Sequence, residues 1–242
     1  MNPPPDRLRA IITGASSGIG KATALTFAKA GISVALVSRS LDKLEAVEKA
    51  VRTVGVEAKA YPIDLAKVKT VKDKMAAIAT DFGPIDILVN NAGIGYTNPL
   101  RETPLTDWQR VIDLNLTSVF QCIQGVLPQM RDRNRGTIVN VASIAANNSF
   151  PDWGAYSVSK AALIALAKTL AVEERANGIR VVNISPGAVN TPLWETETVQ
   201  ADFEPEVMLT PEIVAQSILH TVLLPVQAVV EEMTIMPSGG SL

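Results

Sequence analysis

The sequence predicts an α/β fold in which a parallel sheet is covered by crossover helices. Two observations carry that prediction. Short β-branched runs alternate with longer amphipathic segments from one end of the chain to the other, the pattern of strands joined by helical crossovers. A glycine-rich turn, Thr13-Gly14-Ala15-Ser16-Ser17-Gly18-Ile19-Gly20, follows directly on the first apolar run and opens a helical segment.

Taken in order, the first strand is expected over 8–12 and runs through the glycine turn into a helix over 18–30. Gly31 closes that helix at a position suited to a left-handed residue. Strands follow at 33–37 and 56–63, separated by a helix over 41–53. A helix over 67–81 leads to a strand at 85–89, and a long one over 106–133, broken near Asn115, leads to a strand at 137–141. Thr106-Asp107-Trp108-Gln109 reads as a capping box at the start of the long helix. The helix over 153–176 is closed by Gly178 and precedes a strand at 179–184. The last pair is a helix over 210–223, with Thr210 as N-cap and Pro211 in the first turn, and a strand at 232–236. No repeat, low-complexity tract or linker divides the chain, so 1–242 is expected to be one domain. The longest irregular stretch, about 186–209, lies beyond a strand's carboxyl end, where α/β sheets bind ligands, and is read as a lid.

Composition narrows the function classes. With 22 basic against 24 acidic residues, nothing electrostatic argues for nucleic acid or an anionic membrane. A hydrophobic fraction of 47% suits a well-packed core. The single cysteine, Cys122, excludes an internal disulfide framework and fits a reducing compartment, as a buried small apolar side chain. Met1-Asn2-Pro3-Pro4-Pro5 leads almost directly into a strand without an apolar signal region, and no apolar run approaches the ~18 residues of a membrane span. A soluble cytoplasmic protein is expected.

The chemistry points to Tyr156 and Lys160, four residues apart and therefore on one helical face. An ammonium near a phenol favours the phenolate and would lower a pKa of about 10, so that the phenol exchanges a proton with an alkoxide or carbonyl oxygen. Ser143 stands thirteen positions before Tyr156 and can donate a hydrogen bond to a substrate oxygen. At the other end of the chain, the glycine turn presents backbone N–H groups at a helix N-terminus to a pyrophosphate.

These motifs, with Asn90-Asn91-Ala92-Gly93 and Pro186-Gly187, stand in the order and spacing of the short-chain dehydrogenase/reductase family, which the whole chain resembles. The resemblance implies a Rossmann-like, doubly wound sheet of seven strands ordered 3-2-1-4-5-6-7 and a nicotinamide dinucleotide. It also implies a catalytic tetrad of Asn115, Ser143, Tyr156 and Lys160. In that reading Tyr156 is the acid in reduction and the base in oxidation, and Lys160 stabilises the phenolate and holds the nicotinamide ribose. Asn115 would hold a water in a relay towards Lys160. Gly14, Ser16, Ser17, Gly18, Ile19, Gly20, Asn91, Ala92 and Gly93 would contact the cofactor, together with Asp64 and Leu65 near the adenine. Pro186, Gly187 and Val189 would clamp the nicotinamide, and Thr191 would reach the pyrophosphate.

The second strand ends in Ser38-Arg39-Ser40, where members preferring NAD place an acid; a guanidinium and two hydroxyls suit a 2′-phosphate, so NADP(H) is expected. Trp153 and Trp194 flank the expected site as candidate substrate walls. His220, the only histidine, lies in the last helix, which leaves a Ser-His-Asp hydrolase without its base, and no His/Cys cluster has metal spacing.

The expected activity is that of a carbonyl reductase or alcohol dehydrogenase. A 3-oxoacyl thioester reductase is the alternative within enzymes. Members acting on acyl carrier protein use arginines near Arg131, Arg133 and Arg135, but a second arginine they place before Gly178 is Asn177 here. A non-catalytic NADP-sensing regulator is the alternative outside enzymes, and the Tyr–Lys pair argues against it. By resemblance a homotetramer assembles through the 106–133 and 153–176 helices and the last strand.

Overall fold

The computed structural model describes residues 8–200 and 204–240. The Met1–Pro5 segment and residues 201–203 of the expected lid therefore lie outside the described residues. Seven strands, β1 (Arg9–Thr13), β2 (Ser33–Ser38), β3 (Ala58–Pro62), β4 (Ile87–Asn90), β5 (Gly136–Val141), β6 (Ile179–Pro186) and β7 (Glu232–Ile235), form one parallel sheet. Its order is 3-2-1-4-5-6-7, as expected.

Helices α1 (Gly18–Lys29), α2 (Leu41–Arg52) and α7 (Pro211–Leu223) cover one face, and α3 (Val71–Phe82), α5 (Ser118–Asp132) and α6 (Gly154–Glu174) the other. A short α4 (Leu105–Ile112) precedes α5. Because side chains alternate along a strand, neighbouring residues feed two separate cores. Ala10 and Ile12 pack with Phe27, Leu44 and Ile218, while Ile11 between them packs with Met75, Ile123 and Leu163. Gly125 lets α3 and α5 cross closely, since a Cβ there would stand 2.6 Å from the Lys72 carbonyl oxygen.

Two local expectations are corrected. The capping box does not form: the helix starts one residue earlier, with Pro104 at the cap, so Thr106 already sits inside it. The Gln109 amide instead donates to Asp113 Oδ1, one turn on, at 2.8 Å. The long helix is not broken near Asn115 but widened, passing through a π turn over Asp113–Thr117 between α4 and α5. Thr210 does cap α7, by backbone geometry and without a side-chain bond, and Gly31 and Gly178 take positive φ values of 80° and 67°.

One helical segment, Gly154–Asn177, is long and apolar enough by composition to cross a membrane, contrary to the sequence reading. It is the sheet-covering helix that carries Tyr156 and Lys160, and Leu163, Ala167 and Leu170 bury it in the second core.

Candidate active site

The carboxyl ends of β1, β2, β4, β5 and β6 open into a cavity of about 520 Å³. At its phosphate end, Gly14 and Gly18 take φ values of +67° and +50°, which side-chain-bearing residues rarely adopt. The Thr13 hydroxyl knits the turn to β4: it donates to the Val89 carbonyl at 3.2 Å and accepts from the backbone N–H groups of Asn91 and Ala92 at 3.0 and 3.1 Å. Asn91 returns its amide to the Thr13 carbonyl at 3.0 Å. Ser17 makes no side-chain cap and the first turn of α1 carries no acid, so the helix's leading N–H groups are left for an anion. The Thr191 methyl lies 3.1 Å from where a Gly18 Cβ would stand, which brings the loop after β6 against the turn.

Ser16, Ser17, Gly18, Ile19, Ser38, Arg39, Ser40, Asp64, Leu65, Asn91, Ala92, Gly93, Pro186, Gly187, Val189 and Thr191 all line this cavity. Gly20 does not. It serves packing, because a Cβ there would stand 2.3 Å from the Gly14 carbonyl oxygen. At the far end the Ser38 hydroxyl is buried without a hydrogen-bond partner. Arg39 is exposed and forms no ion pair among the described residues. Asp64 Oδ1 accepts from the Ala66 N–H at 3.1 Å, which turns the chain after β3. A glycine cradle beneath a helix N-terminus, an orphan hydroxyl and an unpaired guanidinium fit a phosphorylated dinucleotide.

At the chemical end, Ser143 follows β5 with extended backbone, and its Oγ accepts from the Ala145 N–H at 3.1 Å. The same hydroxyl faces the Tyr156 phenol closely enough to favour its ionised form. Trp153 packs edge-on against the Tyr156 ring at 5.3 Å between centroids, and Trp194 packs the same way on Trp153 at 5.7 Å. Both indoles line the cavity. The Trp194 indole N–H donates to the Val189 carbonyl at 2.8 Å, anchoring that wall to the loop after β6.

The expected lowering of the phenol is not what this geometry produces. Desolvation raises Tyr156 above 10, and Ser143 only opposes it. The Lys160 ammonium lies over the ring, 5.7 Å from its centroid, and donates to the Val141 carbonyl at 2.8 Å. Burial lowers Lys160 from 10.5 to about 8. Asn115 does not line the cavity. Its Oδ1 accepts from the Ile94 N–H, and its Nδ2 donates to the Ile94 carbonyl and to Ser159 Oγ, at 2.9, 2.9 and 3.1 Å. The widened turn thus aims a fully buried amide at the backbone after β4.

Lys43, Phe150 and Leu193 also line the cavity and were not anticipated. Lys43 was accessible to reasoning, since a residue in the first turn of α2 stands over the end of β2. Elsewhere, His220 is exposed on α7. Cys122 is buried, its thiol pushed up to about 12. Among the described residues no His, Cys, Asp and Glu group could hold a metal.

The buried ammonium gives a stability prediction. A lysine whose folded pKa falls below its unfolded value binds fewer protons folded than unfolded, so stability rises with pH between about 8 and 10.5. Below 8 the full cost, roughly 3 kcal/mol by the size of the shift, is present. Lys160→Met removes that cost, less the bond to Val141. Urea denaturation across this window should show the variant more stable than wild type below pH 8, with the gap closing towards 10.5. Subtracting the two profiles cancels the titrations of Tyr156 and Cys122. A constant gap would mean that Lys160 is not a buried cation.

The profile of the short chain dehydrogenase family matches residues 9–202. The 3-oxoacyl-acyl-carrier-protein reductase FabG of Staphylococcus epidermidis is 41% identical over 181 residues, 74% of each chain. An alcohol dehydrogenase of the archaeon Thermococcus sibiricus, solved with 5-hydroxy-NADP, superposes with a TM-score of 0.87 at 29% identity, covering 96% of this chain and 97% of that one. A 7α-hydroxysteroid dehydrogenase solved with NADH and a 7-oxo bile acid gives 0.86 at 30% identity, covering 100% and 98%.

Proposed function

The chain belongs to the short-chain dehydrogenase/reductase family, and from that premise we propose that it is an NADP(H)-dependent oxidoreductase interconverting ketones and secondary alcohols. The observation that carries the reading is the convergence of Tyr156, Ser143 and Lys160 on the cavity that begins at the glycine turn. When bound, the dinucleotide supplies or accepts a hydride at its nicotinamide C4.

The protein's own groups do the rest. Ser143 donates to the substrate oxygen and fixes it beside Tyr156. The phenol, held protonated by its raised pKa, gives its proton to that oxygen as negative charge develops there, and takes it back in oxidation. Lys160, over the phenol ring on the same helix, would hold the nicotinamide ribose hydroxyls. Asn115 is a positioning residue for the loop after β4. Pro186, Gly187 and Val189 would hold the nicotinamide, and Thr191 the pyrophosphate. NADP(H) is preferred because Arg39 and Lys43 line the cavity where β2 ends and no acid ends that strand.

The identity with the FabG reductase favours a second reading, a 3-oxoacyl thioester reductase. Against carrier binding, the basic cluster is already engaged. Arg131 pairs with Glu174 at 3.4 Å, and Arg133 and Arg135 share Asp86, at the amino ends of β4 and β5, whereas the cavity lies at the carboxyl ends. The chain is further proposed to be a cytoplasmic homotetramer. The exposed Leu105, Phe120, Val158 and Val172 along α4, α5 and α6 support the assembly. NADPH oxidation across ketones, 3-ketoesters, semialdehydes and acetoacetyl-CoA tests the reading. Turnover of simple ketones is expected, and a marked preference for acetoacetyl-CoA would favour the second reading.

A further inference from the structure

The substrate half of the cavity differs sharply from the cofactor half. Of the residues lining the cavity, four are charged. Arg39, Lys43 and Asp64 follow β2 and β3, on the far side of β1 from β5, which Ser143 follows. Lys160 spends a donor on Val141 beneath the phenol. The remaining wall around the Ser143–Tyr156 pair is Ile94, Ile144, Phe150, Trp153, Leu193 and Trp194. Its indoles form a continuous edge-to-face row with the phenol, at 5.3 and 5.7 Å.

That wall is also closed on one side. Thr198 Oγ1 donates to the Gly95 carbonyl at 2.8 Å, the Thr97 N–H to the Thr198 carbonyl at 2.9 Å, and the Gln200 N–H to Thr97 Oγ1 at 2.7 Å. Leu193 and Val199 fill the space over Gly95, where a Cβ would meet them at 2.9 and 2.6 Å. The segment after β6 is thus strapped to the loop after β4, beside the apolar wall of the chamber.

We infer that this chamber takes a neutral ketone bearing an aromatic group beside its carbonyl, in preference to an anionic keto acid or a carrier-bound thioester. A carboxylate entering it would lose hydration, and the one cation there, Lys160, is buried and already donates to the Val141 carbonyl. An extended acyl-thioester arm passing between these two loops would have to break the bonds that tie them. A flat apolar group sheds its water against rigid indole and phenyl surfaces at little cost in side-chain entropy, and gains aromatic contacts beyond area burial.

The inference rests on the NADP(H) ketone reductase reading, and the experiment separates the two. kcat/KM with NADPH is measured for an aryl methyl ketone, a straight-chain methyl ketone, acetoacetate and acetoacetyl-CoA. The aryl ketone should exceed the straight-chain one by ~10-fold, the worth of one favourable aromatic pair, and both acetoacetyl compounds by more. Trp153→Ala should bring the aryl-to-alkyl ratio near unity and Trp153→Phe should keep most of it, with Trp153→Leu in place of the alanine variant should that fail to fold. Acetoacetate or acetoacetyl-CoA matching the aryl ketone, or a ratio indifferent to Trp153, overturns the aromatic-chamber assignment while leaving the reductase reading intact. NADPH consumption with none of the ketones overturns the reductase reading and this inference with it.

Discussion

Tyr156→Phe lowers turnover by at least ~10²-fold, the lower end for loss of a general acid–base group, while NADPH still binds. The ring keeps its edge contact with Trp153, so the wall and the fold survive. What disappears is the hydroxyl that Ser143 faces and the only proton donor proposed beside the substrate oxygen. Lys160 cannot take over, because its ammonium is directed at the Val141 carbonyl. Single-turnover reduction and a fluorescence titration with NADPH separate the chemical step from binding. Near-wild-type turnover would remove Tyr156 from the mechanism.

Arg39→Ala weakens NADPH by roughly 10- to 100-fold and leaves NADH almost unchanged, since a charge-assisted contact contributes about 1.5–3 kcal/mol. The two cofactors differ only at the adenosine 2′ position, remote from Tyr156, so discrimination belongs at the end of β2. There the exposed guanidinium meets no carboxylate among the described residues, and the Ser38 hydroxyl waits unpaired beneath it. Adding Ser38→Asp supplies an acceptor for a ribose hydroxyl and a charge that repels a phosphate, so the double variant should prefer NADH. Lys43 shares the same pocket, and its removal should deepen the loss of NADPH. Dissociation constants for both cofactors check this. Equal weakening of the two, or a wild-type preference for NADH, would end the NADP assignment.

The strands were legible because β-branched runs between turn residues leave few alternatives, and most boundaries fall within about two residues of expectation. Sheet order was not legible from periodicity; it came with the family resemblance. The capping box misled because Pro104 and Leu105 can begin a helix as well as Thr106, and only packing decides between them. The phenol was misjudged for a related reason. Spacing of four residues fixes a shared helical face, but it does not reveal that burial of the phenol raises it even with the ammonium over the ring. Asn115 was found, but its partners were not, because they lie twenty-one and forty-four residues away in the chain.

The central claim is that this cavity carries a hydride between a nicotinamide and a ketone carbon under Tyr156's control. The most direct test supplies the enzyme with NADPH deuterated at the transferred C4 position and an aryl methyl ketone, and reads the product by mass spectrometry. The account predicts one deuterium on the carbinol carbon, with a single product enantiomer from wild type and at most a trace from Tyr156→Phe. Alcohol without deuterium at that carbon, or equal deuteration by the phenylalanine variant, would contradict it.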